Sequence, residues 1–235
     1  VLDHGVYING PEVQEFEGML SDFTSAKHAI TCANGTDALS ISLIALNLGE
    51  NDVIFIPSFT YIASVEAISA IGAIPFFVDV KDDYNICPRS LKNAIDDSIF
   101  LGLMPAAVIP VDLFGKPSRS NELDDILKHW DLKVVYDAAQ SFGAEREGVK
   151  SGALTYVGTT SFFPAKPLGC FGDGGAVFCQ TEEDYNRLVQ VRNHGQESRY
   201  YHTRLGYNGR LDTLQCAILL VKLERYPWEV EQRQR

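Results

Sequence analysis

Short apolar runs alternate with helical patterns along most of the chain. The apolar runs predict strands over residues 53–56, 75–78, 107–109, 133–136, 159–163 and 175–178. The helical patterns predict helices over residues 36–48, 62–71, 91–95, 122–130 and 182–194. Because the strands do not alternate with polar positions, helices must cover both faces of the sheet. The pattern therefore predicts an α/β domain with a mostly parallel sheet, whose strands end together at the edge where ligands bind.

The composition and net charge exclude several classes of protein. Of the 235 residues, 46% are hydrophobic and 22% are charged, which is typical of a globular protein and excludes a disordered or fibrous chain. The net charge of -11 would repel a long anionic polymer, so we expect no nucleic-acid partner. No apolar run approaches the ~20 residues of a membrane span, and the chain does not open with a signal-peptide pattern. We therefore expect a cytoplasmic protein with no membrane contact.

The cysteines are too widely spaced to indicate a disulfide framework. Cys32, Cys87, Cys170, Cys179 and Cys216 form no CxxC pair, and no histidine lies at metal-ligand spacing from them. We expect buried, reduced thiols and no metal site.

Two candidate binding motifs lie near the start of the chain. Gly35 and Thr36 precede an amphipathic helical pattern, where Gly35 permits a strained turn and Thr36 is a good N-cap. Free backbone N–H groups at such a helix start bind phosphate, and an ordinary N-cap is the alternative. Tyr61 follows the strand predicted at 53–56, where its ring can stack on a flat cofactor or pack as a core or rim aromatic.

Two charged residues follow later strands. Asp137 comes directly after the strand predicted at 133–136, and a buried carboxylate there needs a cation, such as a protonated ring nitrogen, or several donors. A cap for the next element is the alternative. Lys166 lies in an apolar stretch between two prolines, where burial would make its amine nucleophilic. The glycines of the segment GDGG at 172–175 permit a tight loop and a close approach of backbone to ligand, but they do not form a GxGxxG fingerprint.

Four motifs stand in one order: GTDAL at 35–39, PSFTY at 57–61, DAAQ at 137–140, and SFFPxK at 161–166 with its GDGG tail. In this combination the chain resembles the sugar aminotransferase family of pyridoxal-phosphate enzymes that is named after the DegT, DnrJ, EryC and StrS proteins. The resemblance covers essentially the whole chain. It implies the aspartate-aminotransferase fold (type I), a three-layer α/β/α large domain with a mostly parallel mixed sheet, and pyridoxal 5'-phosphate as cofactor.

The resemblance implies a role for each motif residue. Lys166 would hold the cofactor aldehyde as a Schiff base and then move the proton between substrate and cofactor. Asp137 would pair with the pyridinium nitrogen, Gln140 would lie near the ring hydroxyl, and Tyr61 would stack on the ring. The phosphate would be held by Gly35, Thr36 and Ser161.

The resemblance also implies a homodimer with shared active sites. Asn208 matches a residue that reaches the phosphate of the neighbouring subunit, and Arg210 in the same loop would face the substrate there. We expect His202 to approach the same shared site.

Family members usually aminate a keto group of a nucleotide-linked sugar, with glutamate as the amino donor. The segments 164–170, 202–204 and 210–215 are most similar to the branch that acts on UDP-linked 3-keto N-acetylglucosaminuronic acid, for surface-polysaccharide or O-antigen synthesis. Arg204 or Arg210 could hold the sugar carboxylate bidentately, and surface or interface ion pairs are the alternative for both. A 4-keto-6-deoxy sugar, which needs no carboxylate partner, stays open as the substrate.

The chain has no initial Met and ends in a charged run, so we expect a fragment of a longer protein. Residues 1–225 would form the cofactor-binding large domain, and 226–235 would begin the connection to a small C-terminal domain absent from this chain. The fragment alone would then lack part of the substrate site. Lys166 argues against a dehydratase branch that carries His in its place. A regulatory or sensory protein and a non-enzymatic α/β binding module remain the alternatives.

Overall fold

The computed structural model describes residues 1–153 and 157–235. Its helices are α1 (Pro11–Thr24), α2 (Gly35–Ala45), α3 (Ala63–Ala70), α4 (Pro88–Phe100), α5 (Asn121–His129), α6 (Glu182–Arg192) and α7 (Thr213–Arg233). Its strands are β1 (His28–Cys32), β2 (Asp52–Pro57), β3 (Ile74–Val78), β4 (Met104–Val108), β5 (Lys133–Asp137), β6 (Glu145–Arg146), β7 (Val149–Lys150), β8 (Val157–Ser161), β9 (Gly175–Cys179), β10 (Gln196–Ser198) and β11 (Tyr201–His202). A short 3₁₀ helix covers Leu113–Gly115.

Seven strands form the central sheet, in the order β1-β9-β8-β5-β4-β2-β3. β9 runs antiparallel to both of its neighbours, and the pairings from β8 to β3 are all parallel. The mostly parallel mixed sheet is therefore confirmed. The carboxyl ends of β2, β5 and β8 meet at one edge, as parallel strands require.

Helices cover both faces of this sheet. On β2, Ile54 and Ile56 belong to the apolar cluster that contains Ala67 of α3, whereas Val53 and Phe55 belong to the cluster on the opposite face. The first cluster also contains residues of α2 and α6. The opposite face is covered by α4 and α5 over one half of the sheet and by α1 and α7 over the other. This arrangement confirms the three layers.

Several predicted boundaries were wrong, and several elements were missed. The strand predicted at 159–163 is β8, which ends two residues earlier, at Ser161. Its first two residues, Val157 and Gly158, lie outside the predicted range, because a glycine gives no strand signal. The hydroxyls of Thr159 and Thr160 donate to the carbonyls of Tyr136 and Ala138, which lets both threonines be buried. The helix predicted at 91–95 extends over the whole of α4, which starts with Pro88 in its first turn. The missed elements are α1, β1, α7, the short strands β6, β7, β10 and β11, and the 3₁₀ helix at Leu113–Gly115.

The division into 1–225 and 226–235 stays a prediction. Helix α7 runs continuously through that boundary. Tyr226 is fully buried, and its hydroxyl donates to the carbonyl of Phe142. Among the residues that the structure describes, no helix is both long and apolar enough to cross a membrane.

Candidate active site

A cavity of about 730 Å³ opens at the carboxyl ends of β2, β5 and β8. The structure brings seven of the predicted site residues to its wall: Gly35, Thr36, Tyr61, Asp137, Gln140, Ser161 and Lys166. These residues come from four separate segments of the chain, and the parallel sheet is what brings the segments together.

The start of α2 forms one side of the cavity. Asn34 is the N-cap, because its Oδ1 accepts a hydrogen bond of 2.8 Å from the backbone N–H of Asp37. The expectation that Thr36 caps this helix is therefore wrong, since Thr36 lies inside the first turn. In the part of the chain that the structure describes, the N–H groups of Gly35 and Thr36 have no acceptor. They are the free donors of the first helical turn, which favour an anion.

Gly35 is needed for close packing and not for a strained turn. It lies in the helix and is absent from the residues with positive φ. A Cβ at this position would lie only 2.7 Å from the Cβ of Ser161, at the end of β8. The missing side chain therefore lets the helix start and the strand end approach each other.

The glycine-rich tail after Lys166 also packs against protein. A Cβ at Gly175 would lie 2.5 Å from the carbonyl oxygen of Asn34, and one at Gly174 would crowd Cys170 and Phe162. The glycines of this tail are not among the residues that line the cavity. The expectation that they bring backbone close to a ligand is therefore wrong. They instead let the loop fold back beside the start of α2.

Asp137 supplies a buried carboxylate at the end of β5. It is 8% exposed, its Oδ2 accepts a hydrogen bond of 2.9 Å from the Ser64 hydroxyl, and its Oδ1 accepts one of 3.1 Å from the N–H of Ala139. Burial raises the pKa of Asp137, while these two donors and the charge of Lys166 oppose the rise. A cation in the cavity would favour the ionised form further. Sequence reasoning missed Ser64, whose only signal was its position three residues after Tyr61 on the next helix.

Lys166 lies on a tight turn at the cavity rim. Its backbone N–H donates to the carbonyl of Phe163 over 2.8 Å. The side chain is half-buried, not fully buried as the apolar sequence suggested, because Phe163, Pro164 and Ala165 in the same turn are exposed. The structure gives its Nζ no hydrogen-bond acceptor among the described residues.

Three further side chains shape the wall. The side-chain oxygen of Gln140 accepts a hydrogen bond of 2.9 Å from the N–H of Phe114, which leaves the amide NH₂ of Gln140 to donate. Tyr61 is 69% exposed, so its ring is available to a ligand. The hydroxyl oxygen of Thr60 is buried and has no partner among the described residues.

The other four predicted site residues do not line this cavity. His202 lies on β11, where its Nδ1 contacts the carbonyl oxygen of His194 at 2.9 Å. Arg210 donates to the side chain of Asn193, and Asn208 is exposed beside the same residue. Arg204 is half-buried, with its Nε unpartnered among the described residues. This chain alone therefore does not bring these residues to the cavity wall.

The cavity fits a flat, phosphorylated group with a cationic ring. Free helix N–H groups can take the phosphate, the buried carboxylate can oppose a cation, and the exposed Tyr61 ring can cover a face. The orphaned Thr60 hydroxyl adds a donor to the cavity wall. Within residues 1–153 and 157–235 there is no cluster of side chains that could hold a metal ion.

Comparisons with known proteins agree with this chemistry. A sequence model of the DegT/DnrJ/EryC1/StrS aminotransferase family matches residues 1–235. UDP-2-acetamido-2-deoxy-3-oxo-D-glucuronate aminotransferase from Pseudomonas aeruginosa is 47% identical over 100% of this chain and 64% of its own length. A DegT DnrJ EryC1 StrS aminotransferase from Brucella abortus superposes with a TM-score of 0.98 at 46% identity, covering 100% of this chain and 64% of that one.

A third relative was solved with a cofactor in place. NtdA from Bacillus subtilis with bound cofactor PMP has a TM-score of 0.87 at 30% identity, covering 98% of this chain and 51% of that one. The chain spans 64% of the length of the Pseudomonas relative, so it corresponds to part of such an enzyme.

Proposed function

The chain belongs to the DegT/DnrJ/EryC1/StrS aminotransferase family, and we propose that its full-length form is a pyridoxal-phosphate-dependent aminotransferase acting on a nucleotide-linked keto sugar. Glutamate would be the amino donor. The observation that carries the proposal is one cavity that combines Lys166, the buried carboxylate of Asp137 and the free N–H groups at the start of α2. Fold alone would not support a function, but these groups match the chemistry of amino transfer.

The cavity wall offers a partner for each part of the cofactor. When bound, pyridoxal phosphate supplies an aldehyde that amines attack and a protonated ring that withdraws electrons. The N–H groups of Gly35 and Thr36, with the hydroxyl of Ser161, would hold the phosphate. Asp137 would oppose the ring nitrogen, and Tyr61 would cover one face of the ring. The amide NH₂ of Gln140 would donate to the ring hydroxyl.

Lys166 is the proton-moving group of the site. Its Nζ accepts a proton as an amine and returns it as an ammonium, so one side chain serves as both base and acid. The turn fixes its backbone, whose N–H donates to the carbonyl of Phe163. The half-buried environment lets Nζ reach both the cavity and solvent.

The proposed substrate is UDP-linked 3-keto N-acetylglucosaminuronic acid, used for polysaccharide or O-antigen synthesis. The Pseudomonas relative is named for a substrate of this class, and it matches the whole chain. Arg210 and Arg204 would hold the sugar carboxylate, because a guanidinium donates two parallel hydrogen bonds to a carboxylate. His202 would contact the same sugar. A 4-keto-6-deoxy nucleotide sugar is the alternative substrate, for which these arginines would be dispensable.

A homodimer would bring to the cavity the four predicted site residues that do not line it within one chain. The cavity wall of a single chain does not include the other four predicted site residues, Asn208, Arg210, Arg204 and His202, as expected if they serve a neighbouring subunit.

We also propose that the enzyme is cytoplasmic, since all five cysteines are free, as is usual in a reducing compartment.

Turnover by the full-length protein tests this proposal. The purified protein would be incubated with pyridoxal phosphate, glutamate and either the 3-keto uronic acid or a 4-keto-6-deoxy nucleotide sugar. We expect 2-oxoglutarate and an amino sugar only with the uronic acid, detected by mass spectrometry. Amination of the 4-keto sugar instead would select the alternative substrate, and no amination of either would refute the aminotransferase.

A further inference from the structure

Ser64 is the residue that the site chemistry above leaves without a role, and the inference drawn from it rests on the proposed function. It lies in the first turn of α3 and is 1% exposed. Its hydroxyl donates to Oδ2 of Asp137 over 2.9 Å, although the two residues are 73 positions apart in the chain. The contact therefore links two walls of the cavity, the helix start after β2 and the end of β5.

The hydrogen bonds fix how the Asp137 carboxylate is turned. Its two oxygens each accept one bond from the protein, Oδ2 from Ser64 and Oδ1 from the N–H of Ala139. A carboxylate has about four lone-pair sites, so both oxygens keep capacity for a ligand. Ala139 holds one oxygen through backbone alone. Ser64 is the side chain that prevents rotation of the other oxygen.

Nothing else in the described structure requires the Ser64 hydroxyl. It is not the cap of α3, which begins after Ile62 without a side-chain cap. The helix is already anchored by Ala67 and Ile68, which are buried against the sheet. A purely structural position of this kind would be filled as well by alanine, which avoids burying a polar group.

We infer that Ser64 is a positioning residue, which turns the Asp137 carboxylate toward the ring nitrogen of the cofactor and strengthens its hold on that nitrogen. The same segment presents the Tyr61 ring, and the N–H of Ser64 donates to the carbonyl of Tyr61. One short stretch of chain therefore aligns the stacking ring and, through Asp137, the group that faces the ring nitrogen. Replacing Ser64 would act on the cofactor through Asp137 and not through loss of the fold.

The test measures binding of two cofactors to the full-length protein. The first is pyridoxal phosphate, and the second is its 1-deaza analogue, in which carbon replaces the ring nitrogen. Ser64→Ala is expected to weaken binding of pyridoxal phosphate by roughly 10- to 100-fold, the range for a lost hydrogen bond to a charged group. It is expected to leave binding of the deaza analogue unchanged. Ser64→Thr keeps the hydroxyl and should restore most of the affinity.

Ser69→Ala is the matched control, because Ser69 is exposed on the same helix. It should bind both cofactors as the unaltered protein does. Equal weakening of both cofactors by Ser64→Ala would show a general structural effect and overturn the inference, as would no weakening of either. If Ser64→Ala fails to fold, Ser64→Cys gives the same decision, because a thiol fills a similar space but is a weak donor, so it should weaken binding of pyridoxal phosphate and leave binding of the deaza analogue unchanged. If the unaltered protein does not bind pyridoxal phosphate, the proposed function itself fails.

Discussion

The cavity wall and the segment from 196 to 210 differ in how the structure holds their polar groups. In the cavity, Asp137, Gln140 and Asn34 are each fixed by hydrogen bonds from backbone or from a buried hydroxyl. In the segment, His202 and Asn208 are exposed and lie on a two-stranded hairpin or the loop after it. The first region is organised within one chain, whereas the second has its polar groups directed outside the cavity.

In the enzyme that we propose, this difference would separate two tasks. A cofactor that stays bound through many turnovers is held best by rigid, preorganised groups. A substrate that enters and leaves would be met by the residues that we propose a neighbouring subunit supplies. The cofactor site should therefore tolerate few changes, and the hairpin should control which sugar is used.

Removing the amine of Lys166 should produce the largest effect. Lys166→Ala is expected to lower turnover by roughly 10²- to 10⁴-fold, because it removes the acid and base of the site. Stopped-flow spectroscopy of the reaction with glutamate measures the loss directly. Lys92→Ala, an exposed lysine on α4, is the matched control and should react normally. Normal turnover in Lys166→Ala would place the chemistry elsewhere.

Replacing Arg210 should impair use of the substrate and leave the affinity for the cofactor unchanged. Arg210→Lys is expected to lower kcat/KM for the uronic acid sugar by roughly 10- to 100-fold, since lysine cannot form the bidentate pair. Equilibrium titration with pyridoxal phosphate should give an unchanged affinity. A parallel loss of cofactor affinity would contradict the division between the two regions.

Mixed dimers test whether the two regions meet across subunits. Lys166→Ala and Asn208→Ala proteins, each nearly inactive alone, should regain roughly a quarter of normal activity when their subunits exchange, because half of the dimers then contain one intact site. Native mass spectrometry verifies the exchange. Exchange without recovery would show that each chain completes its own site.

Gly35 tests the rigidity of the cofactor region. Gly35→Ala is expected to destabilise the protein by about 1–3 kcal/mol, because its Cβ would overpack against Ser161. Gly18→Ala, on the exposed face of α1 with no atom near its added Cβ, should be neutral or stabilising. Denaturant unfolding compares the two variants. Equal stability would refute the close contact.

The smallest expected effect is a pH dependence without cofactor. Burial raises the pKa of Asp137 above its ordinary 3.8, so the folded state keeps a proton that the unfolded state has lost. The free energy of unfolding should therefore fall as the pH rises through this interval. Asp137→Asn should reduce that fall. Urea unfolding at pH values from about 3 to about 8, a range that extends above the ordinary pKa of a carboxyl group, measures the difference.

Asp83 should show the opposite sign. The ammonium groups of Lys116 and Lys81 and the N–H of Asn85 lower its pKa to about 2. The ionised carboxylate of Asp83 therefore stabilises the fold at pH values above its ordinary pKa of 3.8. This contribution is lost as the pH falls toward 2. Near neutral pH, Asp83→Asn should lower the free energy of unfolding, whereas Asp137→Asn should not. The same direction of change in both variants would contradict the opposite directions of the two pKa shifts.

Local patterns predicted the layered sheet and five of the cavity residues, whereas Gln140 and Ser161 were expected only from the resemblance to the family. Lys166 lies between prolines, and Asp137 ends an apolar strand. The N-cap was assigned to Thr36 when the structure uses Asn34, since either residue type can cap and only the helix register decides. The position of Ser64 after Tyr61 was too weak a signal, because the importance of Ser64 comes from a contact with a residue on a distant strand. Long-range contacts of this kind cannot be read from local pattern.

The most direct test of the central claim is to identify which lysine the cofactor modifies. The full-length protein would be mixed with pyridoxal phosphate, reduced with borohydride and mapped by peptide mass spectrometry, with a second sample exposed to glutamate first. We predict a phosphopyridoxyl group on Lys166 alone, and its loss in the sample treated with glutamate. Labelling of another lysine, or of none, would contradict the account and favour a regulatory or binding protein.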